Sequence, residues 1–215
     1  MKIVAISDMH SKLPVNLPKG DVLVIAGDMT FNGRHDYVSQ AGWLNKKFYR
    51  WLERHRPNFK RIIGIAGNHD SVFDNCPGLV NPLPWTYLED SGCQVDGVYF
   101  WGTPWSRPFC DWGFNRDAKF RELAFSQIPE TTDILISHTP PANCGLIDAC
   151  SSSHVGDEVL GAHIYRTKPK VVICGHIHEG GGLTHTWDDI GTTFYNVSIL
   201  NLNYEVANKP AIIEI

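Results

Sequence analysis

The sequence predicts a mixed α/β domain in which one edge of a sheet carries the functional residues. In the first half of the chain, short β-branched runs alternate with amphipathic segments, as in parallel strands joined by helices. The later runs are shorter and separated by turns, which indicates antiparallel strands. Five runs end in polar residues. Because ligands of open α/β sheets gather at the carboxyl ends of strands, we expect these residues to form one site.

The elements follow from hydrophobic periodicity and from Gly and Pro positions. Strands are predicted at residues 2–7, 21–26, 61–66, 86–89, 94–95, 98–102, 133–137, 171–174, 192–197 and 211–214. Helices are predicted at 36–56, 116–127 and 157–167, and loops at 12–20, 71–84, 103–115 and 142–156. In the first helix Leu44, Phe48, Trp51 and Leu52 share one face, which favours core packing over a ligand-binding role.

Length and composition indicate an ordinary globular protein with one domain at residues 1–215. A chain of 215 residues buries roughly 70% of its unfolded surface. The net charge of −4, with no run of Lys or Arg, disfavours extended nucleic acid as a partner. No apolar run approaches the ~20 residues of a membrane helix, and the start of the chain reads as a strand rather than a signal peptide. Six scattered cysteines without a C-x-x-C motif favour free thiols and a cytoplasmic location.

The polar residues at the five strand ends include three aspartates, one asparagine and five histidines. They are Asp8, His10, Asp28, Asn68, His69, Asp70, His138, His176 and His178. Each motif alone has an ordinary structural explanation. Asp8-x-His10 fits a turn or a helix cap, Gly27-Asp28 is a common turn, and His138 alone is typical of a hydrogen-bonded core histidine. Their recurrence in this order, each motif directly after a strand, favours a metal site.

Seven of these residues are candidate metal ligands: Asp8, His10, Asp28, Asn68, His138, His176 and His178. A catalytic zinc ion takes three protein ligands and a water, so seven donors suit two divalent ions that share a carboxylate. Imidazole and carboxylate donors without thiolate favour manganese, iron or zinc, and we expect manganese. Two ions about 3.5–4 Å apart stabilise in-line displacement at phosphorus and acidify a bridging water. His69 is then a candidate acid for the leaving oxygen.

The ordered motifs resemble the calcineurin-like metallophosphoesterase superfamily, whose pattern is D-x-H, G-D, G-N-H-[D/E], H and G-H-x-H. Here they are Asp8/His10, Gly27-Asp28, Gly67-Asn68-His69-Asp70, His138 and Gly175-His176-Ile177-His178. The resemblance implies a four-layer α/β/β/α sandwich with a dinuclear metal centre. It implies that Asp8, His10 and His178 bind one metal and that Asn68, His138 and His176 bind the other. Asp28 would bridge the ions, and His69 would be the acid or a phosphate contact.

The sequence is also similar to the small, brain-type metallophosphoesterase-domain proteins. The shared segments are residues 102–105, 111–115, 138–141, 175–180 and 208–210. This similarity implies phosphodiesterase activity, including activity on cyclic nucleotides, and the presence of His178 implies a complete site. The chain departs from the protein phosphatases of the superfamily, which carry an Asp and an Arg shortly after G-D. A phosphoprotein substrate is therefore disfavoured, and the group that orients His69 is not identified.

The aromatic segment 103–115 is expected to border the site. In one interpretation Trp105, Phe109 or Trp112 stacks on a nucleobase while Arg107 or Arg116 contacts phosphate. In the other, the rings hold a long loop against the sheet, an explanation slightly favoured for Trp112. We include Trp105 and Arg107, with Asn68 and His69, among the substrate contacts. The remaining histidines (His35, His55, His154, His163, His185) are expected on the surface or in loops, with His35 of most interest.

The resulting hypothesis is a phosphodiesterase that hydrolyses cyclic nucleotides or other small nucleotide phosphodiesters with two divalent metal ions. A metal-bridging hydroxide would attack phosphorus, with Asp28 and His69 as the catalytic residues. The alternatives are a nucleotidase-like phosphomonoesterase and a metal- or nucleotide-binding module without turnover. The sequence leaves a homo-oligomer open.

Overall fold

Two β-sheets lie between two layers of helices in the computed structural model, which describes residues 1–31, 36–151 and 153–215. The strands are β1 (Lys2–Ile6), β2 (Val22–Ala26), β3 (Arg61–Ile65), β4 (Thr86–Tyr87), β5 (Ser91–Val95), β6 (Val98–Thr103), β7 (Ile134–Ser137), β8 (Ala149–Cys150), β9 (Ser153–His154), β10 (Val171–Cys174), β11 (Thr184–Trp187), β12 (Thr192–Asn196) and β13 (Ala211–Glu214).

The helices are α1 (Tyr37–Trp43), α2 (Tyr49–His55), α3 (Ser71–Asn75), α4 (Ala118–Ser126) and α5 (Glu158–Thr167). A π-helical turn, Leu44–Phe48, joins α1 to α2, so the predicted helix 36–56 is nearly continuous. Single 3₁₀ turns occur at Arg56–Asn58, Pro77–Leu79 and His178–Gly180. The carboxylates of Asp36, Asp117 and Asp157 accept backbone hydrogen bonds at the N-termini of α1, α4 and α5.

The first sheet has the strand order β13–β1–β2–β3–β4, and the second has the order β11–β12–β10–β7–β6–β5. Strands β1 to β4 pair in parallel, as do β6, β7, β10 and β12. Strands β13, β11 and β5 pair antiparallel at the sheet edges. A short hairpin of β8 and β9 stands apart from both sheets.

Alternation of side chains along the strands creates the layers, because successive residues of a strand point to opposite faces. On β1, Ile3 and Ala5 belong to the core between the sheets, while Val4 and Ile6 belong to the core beneath α1 and α2. The outer face of the second sheet packs on α4 and α5 in a third cluster. This arrangement confirms the predicted α/β/β/α sandwich.

Several sequence-based element predictions were wrong. The segment 71–84, predicted as loop, contains α3 and a 3₁₀ turn, and the loop 142–156 contains the β8–β9 hairpin. Strand β11 was missed because THTW has little hydrophobic signal, and it forms through pairing with β12. His55 and His163 are buried on helices rather than exposed, and His35 lies outside the described residues.

The sequence also predicts free cysteine thiols and gives no signal for a membrane helix. The six cysteines are free thiols. Among the helices of the described ranges, none combines the length and the apolarity that crossing a bilayer requires.

Candidate metal centre

Both sheets contribute strand ends to the same edge of the sandwich. The predicted ligands follow β1, β2 and β3 of the first sheet and β7 and β10 of the second. Backbone hydrogen bonds join the sheets at this edge, since Ser7 N donates to Val197 O at 2.9 Å and Ile199 N donates to Ser7 O at 3.2 Å. Residues more than 160 positions apart in the sequence therefore meet, and the structure brings all seven predicted ligands together.

Four of the ligands adopt left-handed backbone conformations immediately beyond their strands. The φ angles are 52° for Asp8, 40° for His10, 53° for Asp28 and 67° for His176. Positive φ is uncommon in non-glycine residues, and it concentrates at functional sites where the surrounding structure enforces it. The backbone therefore turns sharply at each of these residues, just beyond the end of its strand.

Gly67 and Gly175 are required by close packing of the backbone against the ligands. A Cβ atom at Gly67 would overlap Asp28 Oδ1, and one at Gly175 would overlap Asp8 Oδ2 and Ser7 Oγ. Any other residue would displace a carboxylate. This contact gives a physical reason for the glycines that precede Asn68 and His176 in the sequence motifs.

Asp8, His10 and His178 form the first ligand group. Asp8 accepts hydrogen bonds from the His176 backbone N at 3.0 and 3.1 Å and from Ser7 Oγ at 2.5 Å. His178 Nδ1 donates to Asn201 O at 3.0 Å, so its Nε2 faces Asp8 Oδ1 at 3.6 Å. His10 Nε2 lies 3.3 Å from the same His178 Nε2. Donor atoms of all three residues lie within 4.8 Å of one another.

His138 and His176 form the second group together with Asn68. His138 Nδ1 donates to Ala26 O at 2.9 Å, which directs Nε2 toward Asn68 Oδ1 at 2.8 Å. The rings of His138 and His176 meet edge to face with centroids 5.1 Å apart. Their ligand atoms lie within 4.8 Å of each other and of the Asp28 carboxylate.

Asp28 stands between the two groups. Its Oδ1 accepts the His69 backbone N–H at 2.8 Å. Its Oδ2 is 3.7 Å from His10 Nε2 and 3.4 Å from His138 Nε2. One carboxylate oxygen thus faces both groups, which is the position of a bridging ligand.

The carboxylates of the site are held in their ionised form. Burial would raise the pKa of Asp8, yet the neighbouring His178 and His138 imidazoles lower it to about 2. Burial would likewise raise the pKa of Asp28, but His138 and His69 hold it well below its ordinary value. Both carboxylates are therefore anionic at neutral pH, which suits them to bind a cation.

The four imidazoles divide into two types. Burial lowers the pKa of His10 and of His176 to about 4, which leaves both neutral. Burial would also lower the pKa of His138 and of His178, but the Asp28 and Asp8 carboxylates, respectively, raise each to about 9. The protons on these two rings occupy positions that divalent cations would take, so metal binding would release them. The donor chemistry fits two metal ions.

His69 is fixed by contacts on its backbone and its ring. Its carbonyl accepts hydrogen bonds from Thr30 Oγ1 at 2.7 Å and from Gln40 Nε2 at 2.8 Å. The ring lies between His10 and Trp112, with centroid distances of 4.9 and 4.4 Å. Gln40 was not identified from the sequence, where it is one polar residue in a helix.

Asp70 completes the turn that carries His69. Its carboxylate accepts the backbone N–H groups of Met29, Thr30 and Gly67 at 3.2, 2.8 and 2.9 Å. These bonds join the turn after β3 to the turn after β2, and burial raises the pKa of Asp70 to about 7. Asp70 is therefore a structural member of the motif rather than a ligand.

A cavity of about 370 Å³ opens above the ligands. Aromatic Phe109 and Trp112 line it, and so do Leu202 and Tyr204 from the segment that follows β12. Phe109 is 59% exposed and Leu202 is 62% exposed. The segment 201–204 gave no sequence signal, because it follows no predicted motif and reaches the site only through the fold. Arg107 lines the cavity as predicted.

Trp105 and Arg116 do not line the cavity, which corrects their proposed substrate contacts. Trp105 is 6% exposed, and its Nε1 donates to Asp90 Oδ2 at 2.6 Å. The Arg116 guanidinium stacks 4.9 Å from the Trp105 centroid and pairs with Asp74. Both side chains are already satisfied by these neighbours, so they pack the aromatic segment against the sheet.

We predict that Asn68→Ala lowers the metal content of the protein from two ions toward one. The substitution removes an oxygen donor from the second group and leaves the first group intact. Elemental analysis of protein prepared with excess manganese measures the stoichiometry. Asn81→Ala, at an exposed position outside the site, is the matched control. Two ions retained in Asn68→Ala would contradict the assignment of Asn68.

Comparisons with known proteins agree with this geometry. The family model for calcineurin-like phosphoesterases matches residues 1–180. Metallophosphoesterase domain-containing protein 1 of Homo sapiens is 34% identical over 245 residues, covering 100% of this chain and 71% of that protein. A UPF0046 protein of Caenorhabditis elegans is 31% identical over 231 residues, covering 99% of this chain and 74% of that protein.

Solved structures share the fold at low sequence identity. Phosphopantetheinyl hydrolase from Mycobacterium tuberculosis superposes with a TM-score of 0.59 at 15% identity, over 94% of this chain and 90% of that one. Its likeness concerns the fold alone. The match over residues 1–180 contains every strand end that supplies the site, and the chain is therefore a member of the calcineurin-like phosphoesterase family.

Proposed function

We propose that the protein is a dinuclear metal-dependent phosphodiesterase acting on small nucleotide esters, cyclic nucleotides among them. This proposal rests on the position of Asp28 Oδ2, which faces both ligand groups. The atom lies at the floor of a cavity whose walls carry exposed aromatic side chains. A volume of about 370 Å³ suits a nucleotide-sized molecule rather than a folded protein substrate.

The metal ions, when bound, would neutralise charge on the phosphoryl group and supply an acidified water as the nucleophile. Asp8, His10 and His178 would hold one ion, Asn68, His138 and His176 the other, and Asp28 both. The ligands are preorganised, because hydrogen bonds to Ala26 O and Asn201 O fix the rings of His138 and His178. Manganese and a cytoplasmic location stay predictions from the sequence, and a homo-oligomer stays open.

Asn68 has a second role in this proposal, as a contact to the phosphoryl group. Its Nδ2 is a buried donor with no hydrogen-bond partner among the described residues, and the residue lines the cavity. An unsatisfied buried N–H is costly, so a phosphoryl oxygen placed above it would be stabilised. Its Oδ1, directed at His138, would remain for the metal.

His69 is the residue we assign to protonation of the leaving oxygen. It lines the cavity beside His10 and Asp28, and its backbone is anchored to Thr30 and Gln40. An anchored imidazole can transfer a proton to an ester oxygen at phosphorus without reorganising the turn that carries it.

Trp112 and Phe109 replace Trp105 as the candidate stacking surface for a nucleobase. Their rings meet edge to face at 5.4 Å, and both border the cavity. Tyr204 contacts the rings of His10 and His178 at 4.9 and 5.2 Å, which places a further aromatic surface beside the ligands. Arg107 remains the candidate phosphate contact on this wall.

The direct test of the function is hydrolysis of bis(p-nitrophenyl) phosphate and p-nitrophenyl phosphate, with added manganese and with chelator. We expect diester turnover that chelator abolishes, because chelator would remove the ions that the two ligand groups would hold. Turnover of the monoester alone would replace the proposal with a nucleotidase-like enzyme. Metal binding without turnover of either ester, or of a panel of cyclic nucleotides, would indicate a binding module.

For His69→Ala we expect slower cleavage of diesters with poor leaving groups, by about 10²–10⁴-fold, and a smaller effect on nitrophenolate esters. A poor leaving group needs the proton that His69 supplies, whereas nitrophenolate leaves without it. The measurement compares kcat for alkyl and nitrophenyl esters. His185→Ala, outside the cavity lining, serves as the control. Equal losses for both classes of ester would argue against an acid role.

Trp112→Ala should raise KM for a nucleotide diester by about tenfold and leave KM for a small alkyl nitrophenyl diester nearly unchanged. The nucleotide alone has a base that can stack on the ring. Steady-state kinetics with both esters measures the difference, and Trp105→Phe, which keeps a buried ring, is the matched control. A parallel rise in both KM values would identify Trp112 as a packing residue.

A further inference from the structure

A carboxylate–imidazole pair that belongs to neither metal-ligand group lies on the cavity wall. His154 Nδ1 is 3.1 Å from Asp148 Oδ1. The Asp148 side chain is fully buried, whereas that of His154 is 61% exposed and lines the cavity. The sequence suggested only that His154 is a surface residue, and its pairing arises from the β8–β9 hairpin, where Ala149 pairs with His154.

The contact with Asp148 decides which ring nitrogen of His154 is available to a ligand. Asp148 Oδ1 also accepts the Cys144 backbone N–H at 3.0 Å, while the buried Oδ2 has no hydrogen-bond partner among the described residues. Beside a carboxylate, Nδ1 is the donor, so Nε2 on the other side of the ring is the atom available to a ligand. Asp148 thereby holds the ring in place, with Nε2 positioned to form a hydrogen bond with a phosphate group of a ligand.

Arg107 supplies a second donor on the same wall. Its Nη1 donates to Gly156 O at 3.0 Å, two residues beyond His154 in the chain, and its side chain is exposed to the cavity. A guanidinium has five N–H groups, so further donors remain after this bond. The His154 ring and the Arg107 guanidinium are therefore two hydrogen-bonding groups held around one short segment, residues 154–156.

The carboxylates on this wall already accept hydrogen bonds from the protein. Asp157 Oδ1 accepts the backbone N–H groups of Val159 and Leu160, and Oδ2 accepts Arg121 Nη1 at 3.3 Å. Glu179, exposed at the cavity margin, accepts the Ser151 backbone N–H at 3.4 Å. Asp157 is thus compensated within the protein and Glu179 lies at the exposed margin, while the Arg107 guanidinium keeps N–H groups for a ligand on this wall.

We propose that Arg107 and His154 form an anion subsite for a second negatively charged group of the substrate. The scissile phosphoryl group would lie over the metal ligands, with the base on Trp112, and Asp148 would act as a positioning residue. The preferred substrate class is then a nucleotide ester bearing a second phosphate, rather than a compact cyclic monophosphate. This inference rests on the proposed function and narrows its substrate.

The test compares dissociation constants of adenosine 3′,5′-bisphosphate and adenosine 5′-monophosphate for the manganese-loaded protein, by calorimetry. The bisphosphate should bind about tenfold more tightly, because its additional phosphate gains charge-assisted hydrogen bonds. The ratio should fall to about one in Arg107→Gln and in His154→Gln. Asp148→Asn should reduce it partly, since the ring keeps a hydrogen-bonding neighbour but loses the charge.

His185→Gln is the control, because it changes a half-buried histidine that does not line the cavity. If His154→Gln fails to fold, as judged by circular dichroism, Arg107→Gln at an exposed position decides the question alone. Equal affinity for the two nucleotides in the unmodified protein would overturn the proposal. So would an unchanged ratio in the folded variants. Because binding is measured directly, these outcomes are distinguishable from a loss of diester hydrolysis, which would contradict only the proposed function.

Discussion

The position of the Asp28 carboxylate is the constraint on which the site depends. The residue is 2% exposed, so its negative charge must be compensated within the protein. The His69 N–H binds one oxygen, and the other lies between His10 and His138. A single buried charge thereby connects the turns after β1, β2, β3 and β7, and it attracts cations to the point where both ligand groups meet.

This arrangement requires local conformations that a free peptide would avoid. Asp28 and His176 have positive φ angles, and the carboxylates of Asp28 and Asp8 leave no space for a Cβ atom at Gly67 and Gly175. Such turns persist only where the surrounding structure is rigid. The core between the two sheets and the helices outside them provide that rigidity, and Asp70 connects neighbouring turns through three backbone hydrogen bonds.

The walls of the cavity are formed by different kinds of segment from those that form its floor. The floor is built from strand ends, whose positions are fixed by sheet pairing, whereas Phe109, Leu202 and His154 lie outside the two main sheets. Segments on a rigid scaffold can vary without disturbing the candidate ligands, so we propose that they select the substrate. The exposed ring of Phe109 and the proposed Arg107–His154 subsite together would extend the binding site beyond one phosphoryl group.

The sequence by itself determined the mixed α/β class and the set of candidate ligands, because strand periodicity and the residues directly after each strand are local features, whereas the four layers were implied only by the resemblance to the family. It could not assign Trp105 and Trp112 to their roles, since both occur in one aromatic segment and only packing against Asp90 and Arg116 separates them. Gln40, Tyr204 and the Asp148–His154 pair were likewise decided by tertiary structure. Gln40 contacts His69, Tyr204 contacts the rings of His10 and His178, and His154 lines the cavity. These contacts join segments that lie far apart in the sequence, so no sequence pattern predicts them.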